Sequence, residues 1–149
     1  MNIIIACDFN NFAQCILIRT QVFVIEQNIS AEIETDEWEN DSTHYLLRED
    51  NKALATARSR LIDENTVKIE RVAVLKEVRS QGVGRELMRY LLQDIHSQPN
   101  LETIKLGSQN SAIPFYEKLG FQVIGEEYLD AGIPHHLMVK NNQAFNSGI

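Results

Sequence analysis

Between Val72 and Arg85 an apolar run, Val72-Ala73-Val74-Leu75, gives way to Lys76-Glu77-Val78-Arg79-Ser80-Gln81-Gly82-Val83-Gly84-Arg85 and then to a long amphipathic pattern. A strand, a tight turn and a helix in that order can make an anion site. Gly82 and Gly84 lack a Cβ, so the backbone can bend sharply and approach a ligand closely. The first helical turn leaves amide N–H groups without intrahelical partners, aimed at one spot with the positive end of the helix dipole behind them. Arg79 and Arg85 can add charge-assisted hydrogen bonds to a phosphate. The expected contacts are therefore Arg79 and the amides of Ser80, Gln81, Gly82, Val83, Gly84 and Arg85. Two other phosphate motifs are excluded. The P-loop requires G-x-x-x-x-G-K-[ST], and Gly84 is followed by Arg85-Glu86. The dinucleotide fingerprint requires a third Gly or Ala, and Leu87 stands there. A lone G-x-G also fits a plain helix start with flexible glycines.

The elements around this loop follow from hydrophobic period. Residues 2–7 read as a short strand and 9–25 as an amphipathic helix with Phe9, Phe12, Ala13, Ile16, Leu17, Phe23 and Val24 near helical spacing. Residues 27–42 lack periodicity and read as a loop, with room for a helical turn, packed down by Trp38. Strands are expected at 43–49, 52–62 and 66–75, joined by Asp50-Asn51 and Asp63-Glu64-Asn65 turns. In the third of these, Lys68, Glu70, Val72 and Val74 share a face. A helix over 82–97 carries the stripe Val83, Leu87, Met88, Leu91, Leu92 and Ile95. A strand at 101–107, a helix at 111–119 closed by Gly120, and strands at 121–127 and 135–140 complete the chain. The order β-α-β-β-β-α-β-α-β-β predicts an α/β or α+β sandwich, a mixed sheet of six or seven strands flanked by helices. Residues 1–140 form a single domain and 141–149 a loose polar tail.

Composition bounds what such a domain can do. The 149 residues suit one domain, 44% of them hydrophobic and 23% charged. A net charge of -7 argues against nucleic-acid partners and anionic membranes. Six acids and no base lie between Glu32 and Asp41. That run reads either as a solvated loop or as an acidic lip concentrating a cationic substrate. Arg58 and Arg60 share a strand face, where they can meet an anionic acceptor or pair with Glu70 or the acidic loop. Cys7 and Cys15 are too few for a disulfide framework and read as small buried residues in a reducing compartment. With no basic leader and no apolar stretch near ~20 residues, the chain reads as cytoplasmic. His44, His96, His135 and His136 lack metal-ligand spacing, so no metal is expected.

The loop does not stand alone. Arg79-x-x-Gly82-x-Gly84, a long helix, a strand and then Ala112-Ile113-Pro114-Phe115-Tyr116-Glu117-Lys118-Leu119-Gly120-Phe121 resemble two signatures of the GCN5-related N-acetyltransferase (GNAT) superfamily: its R/Q-x-x-G-x-G/A pyrophosphate loop and its A-x-x-x-Y-x-x-x-G-F segment. The resemblance spans residues 1–140. Arg19-x-x-Val22-Phe23-x-x-Glu26-Gln27 and Ala131-Gly132-Ile133-Pro134-His135 look like its ElaA- and YjcF-related subgroup.

The resemblance implies a three-layer sandwich and acetyl-coenzyme A as acyl donor. The donor would lie in an opening between the strand before the loop and the strand after the long helix. Its pantetheine arm would rest on backbone groups of Val72, Ala73 and Val74, and its pyrophosphate on the loop amides. Where the family often has an asparagine against that arm, this chain has Gln109, with Asn110 next. A backbone N–H near Val72 to Val74 would stabilise the developing oxyanion. Tyr116 would protonate the departing thiolate, against the alternative of a packed tyrosine bonded to a carbonyl. Glu70 would be the general base, against the alternative of a surface carboxylate paired with Lys68 or Arg58. The implied function is direct acetyl transfer to a primary amine of a small molecule or peptide. The other readings are a non-catalytic acyl-CoA sensor and an acyltransferase with a different donor or acceptor. Family members are often homodimers.

Overall fold

The computed structural model describes residues 1–142. Among them are seven strands: β1 (Asn2–Ile5), β2 (Thr43–Glu49), β3 (Lys52–Asp63), β4 (Thr66–Val74), β5 (Thr103–Gln109), β6 (Gln122–Asp130) and β7 (Ile133–Asn141). The α-helices are α1 (Phe9–Arg19), α2 (Ala31–Glu34), α3 (Val83–His96) and α4 (Ile113–Lys118). The strands form one mixed sheet in the order β1-β2-β3-β4-β5-β7-β6. β4 and β5 run parallel, whereas β1–β2, β2–β3, β5–β7 and β6–β7 are antiparallel. The expected order of elements holds, with α2 added inside the stretch read as loop. No helix among the described residues is long and apolar enough to cross a membrane.

Several boundaries differ from the sequence reading, three of them for a clear local reason. The first helix is α-helical only to Arg19 and continues as a π-helix over Thr20–Glu26. There the Thr20 hydroxyl donates to the Ile16 carbonyl at 2.8 Å, and β-branched Thr20, Val22, Val24 and Ile25 crowd the turn. The strand expected at 101–107 starts two residues later, because the Leu101 amide still closes a turn onto Gln98 and pairing starts at Thr103. The β6–β7 hairpin is tighter than read. Ala131 and Gly132 both adopt positive φ, 51° and 76°, the two-residue turn that matches strand twist, so Pro134 falls inside β7.

The chain divides into two compact units, Met1–Arg60 with Arg71–Asp94, and Leu61–Glu70 with the chain from Ile95 onward. The first unit has a core of Ala6, Cys15, Ile18, Val22, Leu46 and Ala73. Asp8 caps α1 by accepting from the Asn11 amide at 2.8 Å. Tyr45 donates its hydroxyl to Asp94 Oδ2 at 2.5 Å, tying α3 to β2. In the second unit Val67, Ile69, Ile104, Leu106, Phe121 and Met138 are buried. Asn142, expected at the head of a loose tail, is fully buried there; its side chain donates to the carbonyls of Ile95 and Leu101 at 3.3 and 2.7 Å. The rest of the expected tail, 143–149, lies outside the described residues.

Half of the acidic segment is spent internally: Glu32, Glu37 and Asp41 are exposed, as a solvated loop requires, and the other three acids are not. Glu34, Asp36 and Glu39 turn inward onto three arginines of the first unit. Arg19, 1% exposed, holds Glu34 Oε1 at 2.6 Å and Glu39 through two nitrogens at 3.0 and 2.7 Å. Arg58, fully buried, grips both Asp36 oxygens at 2.9 Å and reaches Glu39 at 3.0 Å. Arg71 donates to the Glu34 carbonyl at 2.9 Å and to Asp36 at 3.2 Å. Burial works against the charge on Asp36 and Glu39, but the guanidinium hydrogen bonds outweigh it and hold both carboxyls down at about 2. Arg58 is thus paired with the acidic loop rather than offered to an anionic acceptor. Trp38 does not bury itself to pin the loop; it is 41% exposed and carries the Arg60 guanidinium 4.7 Å over its ring. Cys15 is buried as expected, whereas Cys7 is exposed.

Candidate active site

The loop that joins β4 to α3 lies in the first unit. Ser80 and Gly82 both take the left-handed conformation, φ 65° and 83°, so the chain turns twice around Gln81 before α3 begins at Val83. The first recorded helical bond is from the Glu86 amide to the Gly82 carbonyl. The amides of Ser80, Gln81, Gly82, Val83, Gly84 and Arg85 have no recorded acceptor among the described residues. A run of free N–H groups at a helix start, alternating with left-handed turns, is an anion-binding concavity. The space over Gly82 is open, with no atom within 4 Å of where a Cβ would stand. Gly82→Ala is nonetheless strained, since an L side chain is disfavoured at that φ. We expect the substitution to weaken coenzyme A binding at least tenfold by calorimetry while lowering the melting temperature by only a few degrees. Unchanged affinity would remove the loop from the binding site.

Arg79 sits at the head of the loop, but its side chain is committed to partners within the chain at the surface. Nε donates to the Val74 carbonyl at 3.0 Å, and Nη1 and Nη2 grip the two Glu26 oxygens at 2.5 and 2.7 Å. The hydrogen bond from Arg79 lowers the Glu26 carboxyl below its usual range. Arg79 therefore ties the strand end and the loop to the π-helix that carries Glu26. Arg85 is exposed on the first turn of α3. Val72, Ala73 and Val74 end β4, with Ala73 buried and the two valines half-buried. They follow Arg71, whose φ of 56° breaks the extended run. The recorded β4–β5 ladder stops before it, at Ile69 opposite Leu106.

A second group of residues assembles within the other unit. The parallel register sets Lys68 beside Lys105, and alternation then places Lys68 and Glu70 on the face that also holds Gly107 and Gln109 of β5. Glu70 is largely buried and has Lys68 Nζ at 3.7 Å, one of the two pairings expected for a surface carboxylate. On β7, His135 lies opposite Gln109 on that same face. Asn110 is fully engaged, donating to Glu127 at 2.7 Å and accepting from His136 Nδ1 at 2.8 Å.

Tyr116 is on α4, which Pro114 starts with a preset φ. Its ring is 8% exposed and makes edge contacts with Phe115 and Phe121, centroids 5.0 and 6.0 Å away. Its hydroxyl has no recorded hydrogen-bond partner among the described residues, so the carbonyl-bonded alternative has no counterpart here. Burial alone raises the phenol well above its usual range. The phenol therefore stays protonated.

Sequence reading missed Tyr128. Between Ile124 and Tyr128 the β6–β7 register slips, a bulge at Gly125-Glu126-Glu127 with Gly125 at φ 76°. Past it, Tyr128 stacks on His135, with centroids 5.7 Å apart and planes 30° apart, and its hydroxyl occupies the space where a Cβ on Gly107 would stand. The Gly-Glu-Glu run inside an apolar strand is the local signal for that bulge; the stacking itself has none.

The family model described as an acetyltransferase (GNAT) domain matches residues 14–142. The uncharacterized N-acetyltransferase YjcF of Bacillus subtilis is 39% identical over 142 residues, 95% of this chain and 100% of that protein. The crystal structure of Escherichia coli ElaA is similar with a TM-score of 0.81 and 28% identity, over 93% of this chain and 97% of that one. An acyl-CoA N-acyltransferase from Pseudomonas aeruginosa gives a TM-score of 0.84 at 26% identity, over 94% and 99% of the two chains.

Proposed function

The chain belongs to the GNAT acetyltransferase family, and from that membership we propose that it moves an acetyl group from acetyl-CoA directly to a primary amine of a small molecule or peptide. The observation that carries the reading is the 80–85 loop, whose unpaired amides and open Gly82 surface fit a diphosphate. Acetyl-CoA supplies a thioester, an acyl carbon already activated toward an amine. The amides of Ser80 to Arg85 hold the pyrophosphate, with Arg79 bracing the loop from behind and exposed Arg85 adding charge. Backbone groups of Val72, Ala73 and Val74, past the Arg71 break, bind the pantetheine amides, and Gln109 contributes its side-chain amide. A backbone N–H in that strand stabilises the carbonyl oxygen as charge builds on it. Tyr116 delivers a proton to the departing sulfur. Glu70 favours loss of the amine proton, directly or through water. With Glu34, Asp36 and Glu39 paired to arginines, only the exposed Glu32, Glu37 and Asp41 of the acidic segment are left to favour a cationic acceptor. We place the enzyme in the cytoplasm, where an exposed thiol such as Cys7 stays reduced.

The test is release of free thiol from acetyl-CoA over a panel of small primary amines and amino-terminal peptides, beside calorimetry with coenzyme A. We expect coenzyme binding and amine-dependent thiol release with at least one class. Tight coenzyme binding without turnover on any amine makes the chain an acyl-CoA sensor. No binding heat removes the reading altogether.

A further inference from the structure

We propose that His135 takes the proton from the acceptor amine, with Tyr128 fixing its ring plane; the assignment rests on the acetyl-transfer reading above. His135 Nδ1 lies 2.6 Å from the Ile133 carbonyl. A carbonyl can only accept, so Nδ1 carries the hydrogen and the lone pair of the neutral ring is on Nε2. Nε2 has no recorded partner among the described residues and is not among the fully sealed polar atoms, although the residue is only 8% exposed. The ring is thus a fixed base with one nitrogen committed and the other available.

Its placement fits the task. His135 faces Gln109 across the β5–β7 ladder, where cross-strand Cβ atoms stand about 5 Å apart. Tyr128 stacks on the imidazole and can lie there only because position 107 is glycine. The strand registers put Lys68 and Glu70 of β4, Lys105 of β5, and Tyr128 and Asp130 of β6 on this face. Burial and Asp130 both raise the Tyr128 phenol, so it stays neutral beside the ring. Glu70, the base of the reading above, already shares Lys68, whereas the His135 lone pair is uncommitted, so His135 takes the proton in place of Glu70. Alternation sends His136 to the opposite face, where Asn110 holds it.

The proton balance closes. His135 Nε2 takes one proton from the ammonium and later gives it to solvent. The freed amine nitrogen bonds the acetyl carbon and the carbon–sulfur bond breaks. Tyr116 protonates the thiolate, and the second amine proton restores the phenol. One proton is released per turnover.

The experiment compares wild type, His135→Gln, Glu70→Gln and Tyr128→Ala by thiol release across pH, with coenzyme A calorimetry as the folding and binding control. We expect H135Q to lose roughly 100-fold in kcat, to lose the acidic limb of the kcat/KM profile, and to bind coenzyme A as wild type does. E70Q should keep that limb. Y128A should lose several-fold in rate with the limb retained. Added imidazole should restore part of the activity of H135A, in proportion to its unprotonated fraction. H135N replaces H135Q if the latter does not fold. An acidic limb unchanged in H135Q, or one that vanishes only in E70Q, overturns the assignment and leaves the acetyl-transfer reading standing. Wild-type inactivity with every amine overturns both.

Discussion

Tyr116→Phe is expected to lower kcat about 100-fold while leaving the affinity for coenzyme A within twofold of wild type. The substitution removes one oxygen and keeps the ring, so the edge contacts with Phe115 and Phe121 survive. The lost hydroxyl has no recorded partner among the described residues, so no buried donor or acceptor is orphaned and stability should change by less than ~1 kcal/mol. What goes is the proton donor. A thiolate must leave from the acetyl carbon, and a positioned acid typically contributes 10²–10⁴-fold to such a step. Because burial raises the phenol, it carries its proton at every working pH. The measurement is steady-state thiol release with a saturating amine, beside calorimetry. A rate within threefold of wild type would reduce Tyr116 to a packing residue, and a sensor without catalysis would be indifferent to the change.

Arg19→Met is expected to destabilise the protein by about 3–5 kcal/mol, a fall of roughly 10 °C in melting temperature. Methionine fills comparable space, so the loss is electrostatic: Glu34, 3% exposed, and Glu39 are left without the guanidinium that holds them. Repairing the variant with Glu34→Gln should recover part of the loss, since the pair is worth less than the unpaired charge costs. The same network sets the acid limit. Asp36 and Glu39 titrate at about 2 in the folded protein against ordinary values of 3.8 and 4.5. A depressed folded value contributes stability above the unfolded value that is lost as pH falls toward the folded one. Stability should therefore drop between about pH 4.5 and 2, by about 2–3 kcal/mol for each carboxylate, and less for the two together because they share Arg58. Urea unfolding across that window reads it. An Arg19→Met protein as stable as wild type would show the pairs to be surface-like in energy.

The two signature segments were legible because their information is local. Gly82 and Gly84 ahead of an amphipathic stripe specify a turn and a helix start within a few residues, whatever the rest of the chain does. The element order followed equally from period and turn residues. The first helix was read too long because a β-branched tail prefers a looser turn, and α2 was allowed for only as a helical turn without a position because four residues carry too little pattern.

The acidic segment shows where reading along the chain stopped. Half of its charges are met by Arg19, Arg58 and Arg71, between 15 and 37 residues away. Arg79 was legible as a motif residue, but not the turn of its guanidinium toward Glu26, 53 positions earlier. The amino-acid order by itself determined the glycine turn ahead of α3, the tyrosine segment, the alternation of strands and helices and hence the family. Tertiary structure alone decided which charges are spent on one another and which proton-bearing groups share a face with Glu70. Those outcomes depend on strand register and on a bulge that turns Tyr128 onto His135, and a one-residue slip in a strand would send each of those side chains to the opposite face.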